Sequence, residues 1–402
     1  MAIASYIRDL MNSKDASVIR KMFEEGSVLK KQFGAENVYD FSIGNPDLEP
    51  PAEFLAGISE EALKQCKGSH GYMPNAGYWE TRCAMAKKVS EEQGVSVTGD
   101  QVVMSVGAAG ALNVVFKAIL SPGDEVIVPA PFFAEYTHYV HNYGGILKPV
   151  KTLSDFSLDV DGIKTAVTDK TVAVLINSPN NPTGKIYDGA EIHNLAKALE
   201  EQGKKYGKKP YLICDEPYRD IVYDGKEVPA VFPVYSNSVV VSSFAKNLSI
   251  PGERIGYIAV NPSCEDASEF VAACVFTTRI LGFVNAPAFF QRVIARYWNV
   301  KKDLSSYRER RDEFIKIFQE SGIDFFVPEG AFYFFCKVPE SARGDDDKDF
   351  CDFLKKYRIL CAPGTGFGRS GWFRISYCTS MDTIHNCKPA LKQAVHDWKK
   401  NI

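Results

Sequence analysis

Up to about residue 298 the chain alternates between two patterns of apolar residues. Short, nearly continuous apolar runs read as strands: Q-V-V-M-S-V from Gln101, E-V-I-V-P from Glu125, T-V-A-V-L-I-N from Thr171, Y-L-I-C-D from Tyr211, S-V-V-V-S-S-F from Ser238 and G-Y-I-A-V from Gly256. Between several of them lie stretches with helical spacing, the clearest from Asp188 to about Tyr206. β-Branched runs without polar alternation are buried on both faces, and intervening helices supply the crossovers that parallel strands need. The pattern predicts an α/β fold built on a large, mostly parallel sheet covered by helices. Ahead of it, a helical pattern (Val18, Ile19, Met22, Phe23, Leu29) leads to a short strand, V-Y-D-F-S-I, that ends at Gly44.

The pattern changes after residue 298. A long charged helix, K-K-D-L-S-S-Y-R-E-R-R-D-E-F-I-K-I-F, precedes the strand A-F-Y-F-F-C, a helix near Asp349 to Tyr357, the strand W-F-R-I-S-Y and a closing helix. This predicts a smaller α+β domain formed by residues 299–402 together with the N-terminal segment 1–45, beside a large domain over 46–298. A length of 402 residues suits two domains.

Composition narrows the class. A net charge of −3 with both signs interspersed argues against a nucleic-acid or anionic-membrane surface. Asp345 to Asp347 reads as a solvated loop. No apolar run approaches the ~18 residues of a membrane span, and the first residues, M-A-I-A-S-Y-I-R-D-L, lack a signal-peptide core, so a cytoplasmic location is expected. Ten cysteines form no C-x-x-C pair and sit in apolar runs, the pattern of buried reduced thiols. His138 and His141 are helix-spaced but lack accompanying ligands, so no metal is expected.

The sharpest chemical feature is S-S-F-A-K-N-L-S-I-P-G-E-R-I-G-Y, where Lys246 follows a buried strand and Arg254 lies eight residues on. A desolvated lysine near other cations has a lowered pKa and can form an imine with an aldehyde cofactor. A nearby arginine binds a phosphate through its planar fork. Asp215 closes the strand Y-L-I-C-D, where parallel sheets aim side chains into their ligand crevice, and it could pair with a pyridinium nitrogen. Asn181, in N-S-P-N-N-P-T-G-K, is a neutral donor for a phenolic oxygen. In S-V-G-A-A-G-A-L-N a strand passes into a helix through small residues, and the N–H groups there form a phosphate seat. Taken singly, each stretch also has a bland reading as a turn, a cap or close packing.

In this order, N-P-T-G, D-E-P-Y, the S-F-A-K turn with Arg254, and F-R-I-S resemble the fold-type-I pyridoxal-phosphate (PLP) enzymes, aminotransferase class I. The resemblance runs from F-S-I-G-N-P-D-L near residue 41 to F-R-I-S-Y-C near 373. It implies that Lys246 holds the cofactor covalently and carries the substrate proton, that Asp215 holds the pyridinium charge, and that Asn181 and Tyr218 bond the phenolic oxygen. It places Phe133 on the ring with Pro217 against the other face. The phosphate falls to the backbone of Ala108 and Ala109, to Ser243 and Arg254, and to Tyr72 from a neighbouring subunit. Arg374, helped by the Gly44 backbone, would grip the substrate α-carboxylate. A homodimer with shared sites is therefore expected.

The implied reaction is transfer of an amino group from an L-amino acid to a 2-oxo acid, with aspartate as donor and 2-oxoglutarate as acceptor. Two departures bear on substrate choice. Ala109 stands where one aspartate-specific branch has a lysine for the distal carboxylate, and Arg279, ahead of N-A-P, is a candidate substitute reaching from the partner. A PLP-dependent C–S β-lyase and an aminotransferase for aromatic or other apolar amino acids remain as alternatives. A non-catalytic regulator on this fold ranks last, because Lys246 and Arg374 are both present.

Overall fold

The computed structural model describes residues 3–12, 18–64, 67–342 and 344–401. Its strands are β1 (Tyr39–Asp40), β2 (Val102–Ser105), β3 (Glu125–Ala130), β4 (Ile146–Lys151), β5 (Thr171–Asn177), β6 (Tyr211–Asp215), β7 (Ser238–Ser243), β8 (Gly256–Val260), β9 (Phe325–Phe326), β10 (Tyr333–Lys337), β11 (Ile359–Leu360), β12 (Ala362–Pro363) and β13 (Trp372–Ser376). Strands β2 to β8 form one sheet in the order β2-β8-β7-β6-β5-β3-β4. Its pairs from β4 to β7 are parallel, and β8 runs antiparallel to both neighbours.

Alternate residues of each central strand feed opposite cores, as the two-residue period of a strand requires. Val174, Leu212 and Val240 pack with Leu195 and Leu199 of the helix Gly189–Tyr206 and with Met85 and Val89 of the helix Trp79–Gln93. Ala173, Leu175, Ile213 and Val239 pack on the other face with Leu112, Val115 and Phe116 of the helix Gly107–Ile119 and with Phe270 and Cys274 of the helix Ala267–Ile280. The covered parallel sheet is as the sequence predicts.

Strand β4 was not expected. Its sequence, I-L-K-P-V-K, is only partly buried because it is an edge strand, where Lys and Pro are tolerated. The opposite edge is closed by Met104 N–H donating to Ala76 O at 2.9 Å.

A second sheet, β12-β13-β10-β9, and the parallel pair β1–β11 form the smaller α+β part. Its core joins Phe314 and Phe318 of the helix Ser305–Ser321, Phe334, Ile375 and Tyr377, and Leu391 and Trp398 of the helix Met381–Lys400. Phe41 is in that core, as are Tyr218, Ile221 and Tyr223; it donates through N–H to Leu360 O and accepts from Ser376 N–H, each at 2.9 Å. Helices span Ser5–Asn12 and Val18–Phe33, and Leu29 packs against this core. The side chains of Val18, Ile19, Met22 and Phe23 lie outside the described residues.

The reading of Asp345 to Asp347 as a solvated loop is corrected. Asp346 caps the helix Asp347–Leu354, accepting from Lys348 and Asp349 N–H. Asp347 is buried and accepts from Thr365 N–H (2.7 Å), Thr365 Oγ1 (2.8 Å) and Gly371 N–H (3.1 Å), tying that helix to the loop before β13. Nine described cysteines are free thiols, seven of them buried, and Cys66 lies outside the described residues. Among the described residues no His, Cys, Asp and Glu cluster suits a metal ion, and no helix is long and apolar enough to cross a membrane.

Candidate active site

Three adjacent parallel strands end side by side, β5 at Asn177, β6 at Asp215 and β7 at Ser243. Carboxyl ends of parallel strands open onto the crevice where such sheets bind ligands. Here Asn177 fastens two neighbours at once. Its Nδ2 donates to Asp215 O at 2.8 Å, and its Oδ1 accepts from Asn181 N–H at 2.7 Å. A cavity of about 300 Å³ opens above the strand ends. Gly44, Ala108, Ala109, Phe133, Asn181, Asp215, Pro217, Tyr218, Ser243, Lys246, Arg254 and Arg374, all marked out in the sequence, line it together.

Asp215 is buried, and Tyr136 donates to its Oδ2 at 2.5 Å. Its Oδ1 is also buried and accepts from no protein group. Burial raises the Asp215 pKa to about 7 against the lowering effect of the Tyr136 bond. A carboxylate with one oxygen held and the other open in a cavity fits a cationic N–H donor.

Lys246 Nζ donates to Gly44 O at 2.8 Å. Burial lowers its pKa to about 8; Cys378 opposes the shift, and Arg374 and Arg254 add to it. This is the desolvated lysine near cations that the sequence suggested, and a free amine near neutral pH is a nucleophile for an aldehyde.

Two turns meet where the sequence suggested a phosphate seat, one at Gly107 and one at Arg254. The helix Gly107–Ile119 has no side-chain cap at its start, so its first N–H groups are open to an anion with the helix dipole behind them. Gly107 has φ +71°, and a Cβ there would lie 2.9 Å from Arg254 Nη2. Arg254 itself is held at φ 51° and donates to Pro251 O at 2.9 Å. A non-glycine residue in the left-handed region is a strained backbone choice.

Arg374, on β13, spans the chain's two parts. Its Nη1 donates to Asn181 Oδ1 at 2.9 Å and its Nη2 to Ser42 O at 2.5 Å, while its buried Nε has no protein partner. The first bond commits the Asn181 oxygen and leaves the amide NH2 as the donor. The guanidinium lies 4.5 Å from the Tyr333 ring centre and 4.8 Å from that of Phe367. An open lysine, an open acid and an anion seat in one cavity fit PLP, and an arginine with an unused donor fits a substrate carboxylate.

Two nominated residues lie elsewhere on this chain. Tyr72 is 93 % exposed, and Arg279 is exposed with its guanidinium 5.3 Å from the Phe276 ring. Neither lines the cavity. Sequence reasoning passed over Tyr136, Asn177 and Tyr333. Tyr136 follows Phe133 by one helical turn and starts the helix Tyr136–His141, which also carries His138 and His141. Asn177 was visible as the polar end of an apolar strand, whereas Tyr333 sits in A-F-Y-F-F-C and reads as core.

Known proteins agree with this geometry. Residues 36–388 match the family described as aminotransferase class I and II. A probable aspartate/prephenate aminotransferase from Aquifex aeolicus is 32% identical over 375 residues, 90% of this chain and 92% of that protein. An aminotransferase structure from Eubacterium rectale superposes with a TM-score of 0.94 at 37% identity, covering 99% of each chain. An aspartate aminotransferase from Thermus thermophilus, solved with maleate, gives 0.84 at 27% identity over 100% of both chains. The chain belongs to the class I and II aminotransferases and is a PLP-dependent enzyme of that family.

Proposed function

We propose that this enzyme moves the amino group of L-aspartate to a 2-oxo acid, with 2-oxoglutarate as the usual acceptor. The observation that carries the proposal is Arg374, buried, with an unused Nε donor, in the same cavity as the pKa-lowered Lys246. The names of relatives such as the Aquifex aeolicus protein support the donor.

In this reading Lys246 would hold PLP covalently. Ser243, Arg254 and the Ala108 and Ala109 N–H groups would hold its phosphate, with Tyr72 of a second copy. Phe133 and Pro217 would enclose the ring, Asp215 would accept from its nitrogen, and Asn181 and Tyr218 would donate to its phenolic oxygen. Bound PLP supplies the electron sink that makes the substrate's Cα proton removable. Arg374 orients the amino acid through its α-carboxylate, with the 42–44 backbone beside it. Once the substrate amine has displaced it, Lys246 Nζ would take the Cα proton and pass it to the cofactor's C4′, and would carry a proton the opposite way in the acceptor half-reaction. The low-dielectric walls strengthen each of these contacts.

The active form in this reading is a homodimer with shared sites in the cytoplasm. Besides Tyr72, the large side chains of Leu63, Phe276 and Ile280 are exposed, as expected of a surface that a second copy covers. The division into 46–298 and 1–45 with 299–402 belongs to the same proposal.

A second reading has a specific observation behind it. Ala109 leaves space, and Ile43, Leu112, Phe133 and Tyr139 give the cavity apolar walls suited to an aromatic donor. The test is a screen of amino acids against the loaded enzyme, following the cofactor's absorption and the released products. Stoichiometric oxaloacetate from aspartate, without ammonia, supports the proposal. Conversion by phenylalanine or tyrosine alone supports the second reading, and pyruvate with ammonia from cystathionine would make the enzyme a β-lyase.

A further inference from the structure

Tyr333 has no role in the account so far, yet it touches most of the site. It is buried at the cavity wall, on the strand next to the one that carries Arg374. Its hydroxyl is 2.9 Å from the Tyr218 hydroxyl. Its ring face carries the Arg374 guanidinium at 4.5 Å. It is also wedged over Gly44, where a Cβ would lie 1.8 Å from the Tyr333 oxygen. Gly44 is the residue whose carbonyl receives Lys246. Any other residue at 44 would expel the Tyr333 hydroxyl from its seat.

We infer that Tyr333 is a positioning residue that couples the two polar ends of the site. Its hydroxyl donates to Tyr218 and thereby turns the Tyr218 proton into the cavity, while its ring supports the carboxylate-binding arginine. A tyrosine hydroxyl has one proton to give and lone pairs to accept with. At 2.9 Å either hydroxyl could be the donor, and once Tyr218 gives its proton to the phenolic oxygen, Tyr333 is the one left to donate across the pair. A hydroxyl that accepts one bond becomes a better donor in the next. The Tyr218–Tyr333 pair is buried, where such polarisation is least screened by water.

The inference rests on the proposed placement of Tyr218 at the phenolic oxygen of PLP, and the experiment separates the two. The charge on that oxygen is fullest when the lysine linkage is unprotonated, so a donor there lowers the pH midpoint of the bound cofactor's visible absorption. Holoenzyme carrying Tyr333→Phe should titrate higher by about 0.1–0.7 pH unit, the ~10–30 % that one neighbour adds to a hydrogen bond to a charged oxygen, and by less than Tyr218→Phe. Its KM for amino acids should stay within about twofold, because the ring under Arg374 remains. Tyr333→Leu, which removes the ring too, should raise KM for all amino-acid donors by about 3- to 30-fold, the range of a desolvated cation–π contact. Tyr218→Phe should shift the midpoint in the same direction as Tyr333→Phe. If Tyr218→Phe shifts it and Tyr333→Phe does not, the coupling is overturned while the placement of Tyr218 stands. If Tyr218→Phe leaves the midpoint unmoved, the placement fails and the coupling fails with it.

Discussion

Asp215 gives the account a quantitative test in the cofactor-free protein. Replacing it with Asn keeps the size and an oxygen for the Tyr136 hydroxyl, and removes a charge from a buried site. Burial raises the carboxyl from 3.8 to about 7 in the folded chain. An acid whose folded pKa is raised binds more protons in the native state than in the unfolded one between those two values. Its contribution to stability is therefore fully present below about pH 4 and is lost as pH rises to about 7. Three units at 1.36 kcal/mol each come to about 4 kcal/mol lost by pH 8, and integrating only to pH 5 gives about 2 kcal/mol. Asn has nothing to ionise. Unfolding entropy of about 2.1 cal/mol/K per residue gives about 0.8 kcal/mol/K for 402 residues. Apoprotein with Asp215→Asn should then melt about 5 °C above wild type at pH 8 and about 2 °C above it at pH 5. Adding PLP should reverse the order at pH 8, because only the wild-type charge can pair with the ring nitrogen. Scanning calorimetry of apo and loaded forms at both pH values measures this. An apo variant that melts below wild type at pH 8, or a gap that does not widen with pH, would refute the reasoning.

Other expectations follow from the same geometry. Arg374→Ala should lower kcat/KM for every amino acid by a factor corresponding to about 2–5 kcal/mol, because it deletes a desolvated charge partner; steady-state kinetics across acidic, aromatic and small donors would show a selective loss if the arginine served only one class. Mixing Lys246→Ala chains with Tyr72→Phe chains should restore activity in hybrid dimers, since one of the two sites then has both native residues, and full activity of a monomer at high dilution would remove the shared-site arrangement. Arg279→Ala should weaken aspartate and 2-oxoglutarate while sparing alanine and aromatic donors; a uniform effect, or none, moves the substrate assignment to the apolar reading.

Much of this was legible in the chain because the site hangs on strand ends. β5, β6 and β7 are nearly continuous apolar runs, and each ends in a polar residue, so Asn177, Asp215 and Ser243 mark the crevice by their place in the pattern. The turn from Lys246 to Arg254 was legible for a similar reason, since glycine and proline punctuate it. Edge strand β4 was not, because an exposed edge needs no apolar pattern and a proline suits it. Asp347 was misread because three adjacent acids look solvated, although one of them turns inward to Thr365 and Gly371. Tyr136 and Tyr333 were hidden by chemistry rather than position. A tyrosine in an apolar run reads as packing, and only the three-dimensional structure brings its hydroxyl to Asp215 or Tyr218. Tyr72 and Arg279 were expected to serve a neighbouring subunit's site, and one chain's cavity does not include them.

The covalent anchor of the cofactor is the point on which the rest depends, and borohydride reduction of the loaded enzyme tests it most directly. Reduction freezes whatever amine is joined to PLP, and digestion with peptide mass mapping then locates it. The account predicts the phosphopyridoxyl mass on the peptide containing S-F-A-K, at Lys246, and its absence from that peptide in Lys246→Ala. A label on another lysine, such as Lys302, whose pKa burial also lowers to about 8, would contradict it.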